Sequence, residues 1–201
     1  SHPEEDEELL YFEPDIIPLI PDFIEEKEDV LQGAARGTAY HKAMEYLEFS
    51  RADTKDQVIG QLNAWVGEGR MDEQERACIR AEDLWTLASS ALGQRMCWAQ
   101  EQGRLYREQP FVIAQRASEV DPDWEDEEEI LVQGIIDAYF QEQDELVLVD
   151  YKTDWVNAGE GWKLVERYRI QLEYYGQALE RLTGKRVKER YLYSFRLGEA
   201  L

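Results

Sequence analysis

The sequence predicts an α/β fold, a central mixed β-sheet flanked by helices, with a helical region on its N-terminal side. Two observations carry this. Residues 130–140 and 145–153 are rich in β-branched and aromatic side chains, and the polar stretch Gln141-Glu142-Gln143-Asp144 between them reads as a hairpin turn. Residues 168–179 repeat apolar side chains at helical spacing, and a further strand at 187–196 follows a helix stop at Gly184. The order of helices, three strands, helix and strand suits a mixed sheet in one domain, and 201 residues are enough to bury one sizeable core.

The elements follow in order. Residues 1–29 form an acidic segment in which Leu9-Leu10-Tyr11-Phe12 and Ile16-Ile17-Pro18-Leu19-Ile20 alternate with acids and prolines, as expected of an extended stretch packed on the domain. The domain itself is expected over residues 30–201. Its first helix is read from Arg36-Gly37 onward, with Thr38 as N-cap and His41 in the first turn. Thr54 caps a helix through about Trp65, Asp72 a longer one through Leu87, and Ser89 or Ser90 another that ends near Gly103. Residues 105–115 alternate as a strand, and an acidic loop at 119–129 leads into the hairpin. In the last helix Tyr168, Leu172, Tyr175, Leu179 and Leu182 form an apolar stripe, with Gln171 one turn before Tyr175.

Composition narrows the function. The net charge of −22 looks wrong for a protein that binds nucleic acid. Twenty of the 44 acidic side chains, however, lie in residues 1–29 and 119–129, leaving 24 acids against 21 bases in a nearly neutral body. An acidic run is ordinarily a solvated tract. Cys78 and Cys97 fall in helical segments and read as reduced core thiols; two cysteines are too few for a four-cysteine iron–sulfur cluster. No P-loop pattern G-x-x-x-x-G-K-[S/T] is present, so ATP is not bound by that route. There is no secretory signal and no membrane-spanning run, as expected of a cytoplasmic protein. A start at Ser1-His2 reads as a piece of a longer chain.

The chemistry concentrates in Gly134-Ile135-Ile136-Asp137 and Val149-Asp150-Tyr151-Lys152. Side chains alternate in a strand, so Asp150 and Lys152 share one face while Val149 and Tyr151 take the other. A turn centred on Gln143-Asp144 would set Asp137 opposite Asp150, with Cβ atoms roughly 4.5–5.5 Å apart. Two like charges so placed call for a cation between them. A hard divalent ion such as Mg²⁺ or Mn²⁺ takes one or two carboxylates together with waters and phosphate oxygens. A phosphodiester is an anion that resists nucleophiles, so such a site suits its hydrolysis.

The ordered set G-T-x-x-H at 37–41, G-x-x-D at 134–137, D-Y-K-T at 150–153 and Q-x-x-x-Y at 171–175 resembles the PD-(D/E)XK nuclease superfamily. It is most similar to the C-terminal nuclease domain of AddA/RecB-type helicase–nuclease subunits. The resemblance covers about residues 33–195 and implies a restriction-endonuclease-like core. By the same resemblance His41, Asp137 and Asp150 would ligate the metal, with the main-chain carbonyl of Tyr151 as a further oxygen. Lys152 would orient or deprotonate the attacking water and offset charge in the transition state, and Gln171 and Tyr175 would shape the site and contact DNA. Asp150 stands where many members carry Glu, which keeps the carboxylate, and no proline precedes Asp137.

The expected activity is therefore that of a metal-dependent deoxyribonuclease, the nuclease module of an ATP-dependent helicase–nuclease that processes double-strand breaks for repair and recombination. Its expected partners are DNA, a single strand delivered by a helicase domain of the same full-length chain, and a second helicase–nuclease subunit, with no membrane. Two other readings stay open: a non-catalytic DNA-binding scaffold of the same fold, and a free-standing exonuclease.

Overall fold

The computed structural model describes residues 10–11, 27–116, 118 and 129–201. A short strand β1 (Leu10–Tyr11) comes first. Five helices follow: α1 (Lys27–Tyr46), then, after a 3-10 turn (Phe49–Arg51), α2 (Lys55–Gly67), α3 (Glu73–Cys78), α4 (Ala81–Ser89) and α5 (Ala91–Glu101). The chain then runs through β2 (Leu105–Arg116), β3 (Glu129–Glu142), β4 (Glu145–Lys152), α6 (Gly161–Thr183), β5 (Val187–Ser194) and β6 (Glu199–Ala200). All six strands join one mixed sheet: β2–β3, β3–β4 and β5–β6 are antiparallel, while β1–β3 and β4–β5 are parallel.

The hairpin register is the one the turn predicts. Ala138 pairs with Val149 and Glu142 with Glu145, so Gln143-Asp144 is a two-residue turn and Asp137 falls opposite Asp150. Gln143 takes a left-handed φ of 55°, as a two-residue hairpin of primed type demands, and Gln141 Nε2 donates to its carbonyl at 2.6 Å.

Both faces of the sheet are covered, which is why β4 is buried along nearly its whole length. On one face Ala138, Phe140, Val147, Val149, Tyr151 and Phe195 meet Tyr40, Met44, Leu62, Leu87 and Met96 from the five-helix layer. On the other, Ile136, Leu146, Leu148 and Leu192 meet Leu164, Leu172, Tyr175 and Leu179 of α6. Since β4 and β5 run parallel, a crossover must carry the chain between them, and α6 is that crossover. Gly184, at φ 69°, ends it as expected.

Three expectations are corrected. Thr38 does not cap α1: the helix runs from Lys27, and Thr38 sits inside it with Oγ1 donating to the Ala34 carbonyl at 3.1 Å, which places His41 near the C-terminal end. The helix expected from Asp72 to Leu87 is two helices. Ile79 turns extended to bury its side chain, and the Arg80 N–H donates to Tyr40 Oη at 3.2 Å, a partner from α1 that local propensity cannot see. Leu182 is exposed at the end of α6, so the apolar stripe stops at Leu179. The caps at Thr54, Asp72 and Ser90 are as expected. Cys78 and Cys97 are free thiols at the edge of the helical core.

The acidic loop at 119–128 and most of the apolar–acidic stretch before Lys27 lie outside the described residues. Among the described residues no helix is long and apolar enough to cross a membrane.

Candidate active site

The site forms where β3, β4, α1 and α6 converge. Its two carboxylates are buried because the hairpin lies mid-sheet: Asp137 is 7% exposed and Asp150 2%. Asp137 uses both oxygens. Oδ2 accepts the Tyr151 main-chain N–H at 2.8 Å, and Oδ1 lies 3.0 Å from His41 Nδ1. α1 is held in place to present His41, since Arg107 of β2 donates to the carbonyls of Met44 and Leu47 at 3.2 and 2.8 Å.

Lys152 shares the strand face of Asp150, and its Nζ lies 3.0 Å from Asp150 Oδ2. It donates to Gln171 Oε1 at 3.1 Å, and Gln171 Nε2 donates in turn to Tyr175 Oη at 2.8 Å. The ammonium also sits 4.2 Å from the centre of the Tyr168 ring, whose hydroxyl donates to Asp154 at 2.8 Å. One face of α6 thus orients the lysine. Gly134 permits this packing: the Phe111 ring lies where its Cβ would be, 2.9 Å away, and that ring meets Tyr175 edge-on.

Electrostatically the pocket sets the carboxyl groups of Asp137 and Asp150 against His41 and Lys152. Burial pushes the Asp150 carboxyl up to about 6, with Lys152 opposing and Asp137 adding to the shift. Burial disfavours charge on His41, but the adjacent Asp137 carboxylate, with Asp150 beyond it, outweighs this and raises the imidazole to about 9. Burial likewise disfavours charge on Lys152, yet Asp150 and Asp137 hold its pKa above the ordinary value, so it is an ammonium. Asp150 Oδ2 has the Lys152 ammonium as its partner, an ion pair whose angle is poor for a hydrogen bond. The pair offsets part of the cost of burying Asp150, while Asp137 beside it adds repulsion.

Glu108 is a residue that sequence reasoning missed. It lies opposite Asp137 in the register that pairs Arg107 with Ala138 and Gln109 with Ile136, and its φ of 48° is left-handed within a strand. The ribbon changes sides there: Leu105, Ala138 and Phe140 face the helical core, whereas Phe111, Ile113 and Ile136 face α6. Burial, reinforced by Asp137, raises the Glu108 carboxyl to about 7. Ligand atoms of His41, Glu108 and Asp137 all lie within 4.8 Å of one another. The structure therefore brings His41 and Asp137 together, adds Glu108, and sets Asp150 beside Lys152. The only cue in the sequence was an acid in an otherwise sheet-forming run, which is too weak to single out a residue without the β2–β3 register.

A mixed sheet with helices on both faces, carrying paired aspartates and a D-x-K strand end, defines a PD-(D/E)XK nuclease fold. Residues 19–199 match the PD-(D/E)XK nuclease superfamily, and the chain belongs to it. Among similar curated proteins, the A-type subunit of the ATP-dependent helicase/nuclease of Ruminiclostridium cellulolyticum is 39% identical over 183 residues, covering 89% of this chain and 14% of the relative. The protein of the same name from Acetivibrio thermocellus is 39% identical over 202 residues, covering 97% of the chain and 15% of the relative. That from Lachnoclostridium phytofermentans is 36% identical over 219 residues, covering 92% and 16%. The chain thus spans 14–16% of the length of these relatives.

Proposed function

We propose that this chain is a divalent-metal-dependent deoxyribonuclease module that hydrolyses phosphodiester bonds within a larger ATP-dependent helicase–nuclease. One observation carries the reading: ligand atoms of His41, Glu108 and Asp137 lie within 4.8 Å of one another next to a second buried aspartate, Asp150, a donor set that suits a hard divalent cation. Asp137, Asp150, His41 and the Tyr151 carbonyl would hold the ion, with Glu108 close enough to join them. Mg²⁺ or Mn²⁺ bound there would supply charge against the non-bridging phosphate oxygens and acidify a water.

The chain's own residues do the rest. The Tyr151 N–H fixes the rotamer of Asp137, so its free lone pairs are aimed before substrate arrives. Lys152, held charged by the aspartates and steered by Gln171, presents an ammonium to the phosphoryl oxygens as negative charge grows on them. Before an ion binds, Lys152 is protonated, which favours positioning and charge stabilisation over proton abstraction. Tyr175 limits where Gln171 can point. The intact set of Asp137, Asp150 and Lys152 argues against a binding-only scaffold.

The biology follows from the helicase/nuclease name that these relatives carry. Residues 1–29 would tether the module, over 30–201, to a helicase body that feeds it a DNA strand in the cytoplasm, in company with a second helicase–nuclease subunit. Its role would be exonucleolytic processing of double-strand breaks in repair and recombination. The test is digestion of end-labelled single- and double-stranded DNA with Mg²⁺, Mn²⁺ or EDTA. Cleavage with either metal and none with EDTA is expected; cleavage that persists in EDTA overturns the reading.

A further inference from the structure

Two tryptophans stand in solvent, one on the connection from β4 to α6 and one in the first turn of α6. Trp155 is 68% exposed and Trp162 60%, although large aromatic surface is normally buried and stabilises a fold when it is. Trp155 lies three residues beyond Lys152, on the connection from β4 to α6. Arg196 stacks on it, with the guanidinium carbon 5.4 Å from the ring centre. The end of β5 brings that arginine there: the Phe195 N–H donates to the Lys152 carbonyl at 3.0 Å, so Arg196 begins one residue past a direct backbone link to the site lysine.

Arg196 is exposed and forms no ion pair among the described residues, in a chain with twice as many acids as bases. The neighbouring cations are engaged differently: Lys163, 5.7 Å from the Trp162 ring centre, is held by Glu160 at 2.8 Å, and Arg167 by Asp154 at 3.1 Å. Trp162 is in the first turn of α6, whose Gly161 packs against Leu197 and Leu201, so that turn rests on the segment that follows Arg196. An exposed indole, a guanidinium with no ion pair among the described residues and the site lysine are thereby grouped at the same ends of β4 and β5, where open α/β sheets bind ligands.

We propose that Trp155 and Arg196 form a stacking platform for unpaired bases of a DNA strand running to Lys152. The inference rests on the nuclease reading and adds to it the residues that would hold the unpaired strand. Bases can stack on an indole only when they are unpaired, so the platform selects single-stranded DNA at the point of entry. Stacking tolerates any base because each has a π face, and the guanidinium adds attraction to the phosphates. A nearly neutral body can in this way hold a polyanion without a long basic stripe.

The test measures binding in Ca²⁺ of a fluorescein-labelled oligothymidylate and of an abasic strand of the same length and charge. Wild type is expected to prefer the base-bearing strand by about tenfold, with quenching of tryptophan emission, in keeping with one stacked base. Trp155→Ala should reduce that preference to less than about threefold, and Trp155→Phe should restore most of it. Arg196→Ala should weaken binding of both strands alike. Because Trp155 is exposed, its removal should leave the melting temperature unchanged, which keeps the comparison interpretable. An undiminished preference in folded Trp155→Ala, or no preference in wild type, overturns the platform. Cleavage in Mg²⁺ by the wild-type protein is scored separately: a platform without cleavage sinks the nuclease reading alone, and cleavage without the platform sinks this one alone.

Discussion

Asp137 accepts the main-chain N–H of Tyr151 at 2.8 Å, a bond across two adjacent strands that fixes a buried carboxylate to the backbone of the D-x-K motif itself. The bond is buried, and its two roles can be separated. Asp137→Asn keeps an oxygen that can accept the Tyr151 N–H, whereas Asp137→Ala leaves that N–H unsatisfied at a cost of about 1–3 kcal/mol. Urea unfolding in EDTA should rank wild type and Asp137→Asn close together and Asp137→Ala well below. Equal stability of the Ala and Asn variants would remove the structural role assigned to this bond.

Lys152 should matter to the transition state more than to binding. Lys152→Ala is expected to lower kcat about a hundredfold or more, while affinity for DNA measured in Ca²⁺ changes little. Gln171→Ala, which frees the lysine from its guide, should cost between about tenfold and a hundredfold in kcat. A parallel loss of affinity and turnover in Lys152→Ala would make it a phosphate anchor instead.

The helical layer depends on Tyr40. Its ring is fully buried against Phe195 at 4.7 Å, while its hydroxyl donates to Asp83 and accepts the Arg80 N–H, joining α1 to the start of α4. Tyr40→Phe should cost about 1–2 kcal/mol, read as a lower urea midpoint with an unchanged m-value. No measurable change would mean that the break between α3 and α4 is maintained by Ile79 burial alone.

A pH dependence should come from Arg95, which bridges Glu142 at 2.8 Å and Glu189 at 2.8 Å, with Lys188 also 2.7 Å from Glu142. The Arg95 hydrogen bonds, with Lys188 assisting, hold the Glu142 carboxyl down to about 2, and Arg95 holds Glu189 below its ordinary value. A carboxylate whose folded pKa is depressed contributes stability that is complete above about 4.5 and disappears as pH falls toward about 2. Unfolding free energy should decline over that window, and Arg95→Gln should flatten the decline while lowering stability at pH 7. An unchanged slope in the variant would show that other carboxylates set the acid limb.

Much of this site could be read from the sequence because its rules are local. Strand alternation placed Asp150 with Lys152, a two-residue turn placed Asp137 opposite Asp150, and helical spacing placed Gln171 with Tyr175. The misreadings all involve distant partners. Thr38 looked like a cap because threonine favours caps, but a helix with neighbours to pack on accommodates both Gly37 and Thr38. The break at Ile79–Arg80 depends on a hydroxyl 40 residues away. Glu108 joins the site only through the β2–β3 register and one left-handed residue, neither of which has a signature in the sequence.

The central claim, hydrolysis that depends on a cation held by the buried aspartates, is tested most directly by Asp150→Ala beside wild type on end-labelled DNA in Mg²⁺. The account predicts that wild type shortens the DNA and the variant does not. The metal-free variant is expected to stay folded but to melt below wild type, because the substitution leaves the buried Lys152 ammonium without the carboxylate 3.0 Å away. A folded Asp150→Ala protein that cleaves at the wild-type rate would contradict it.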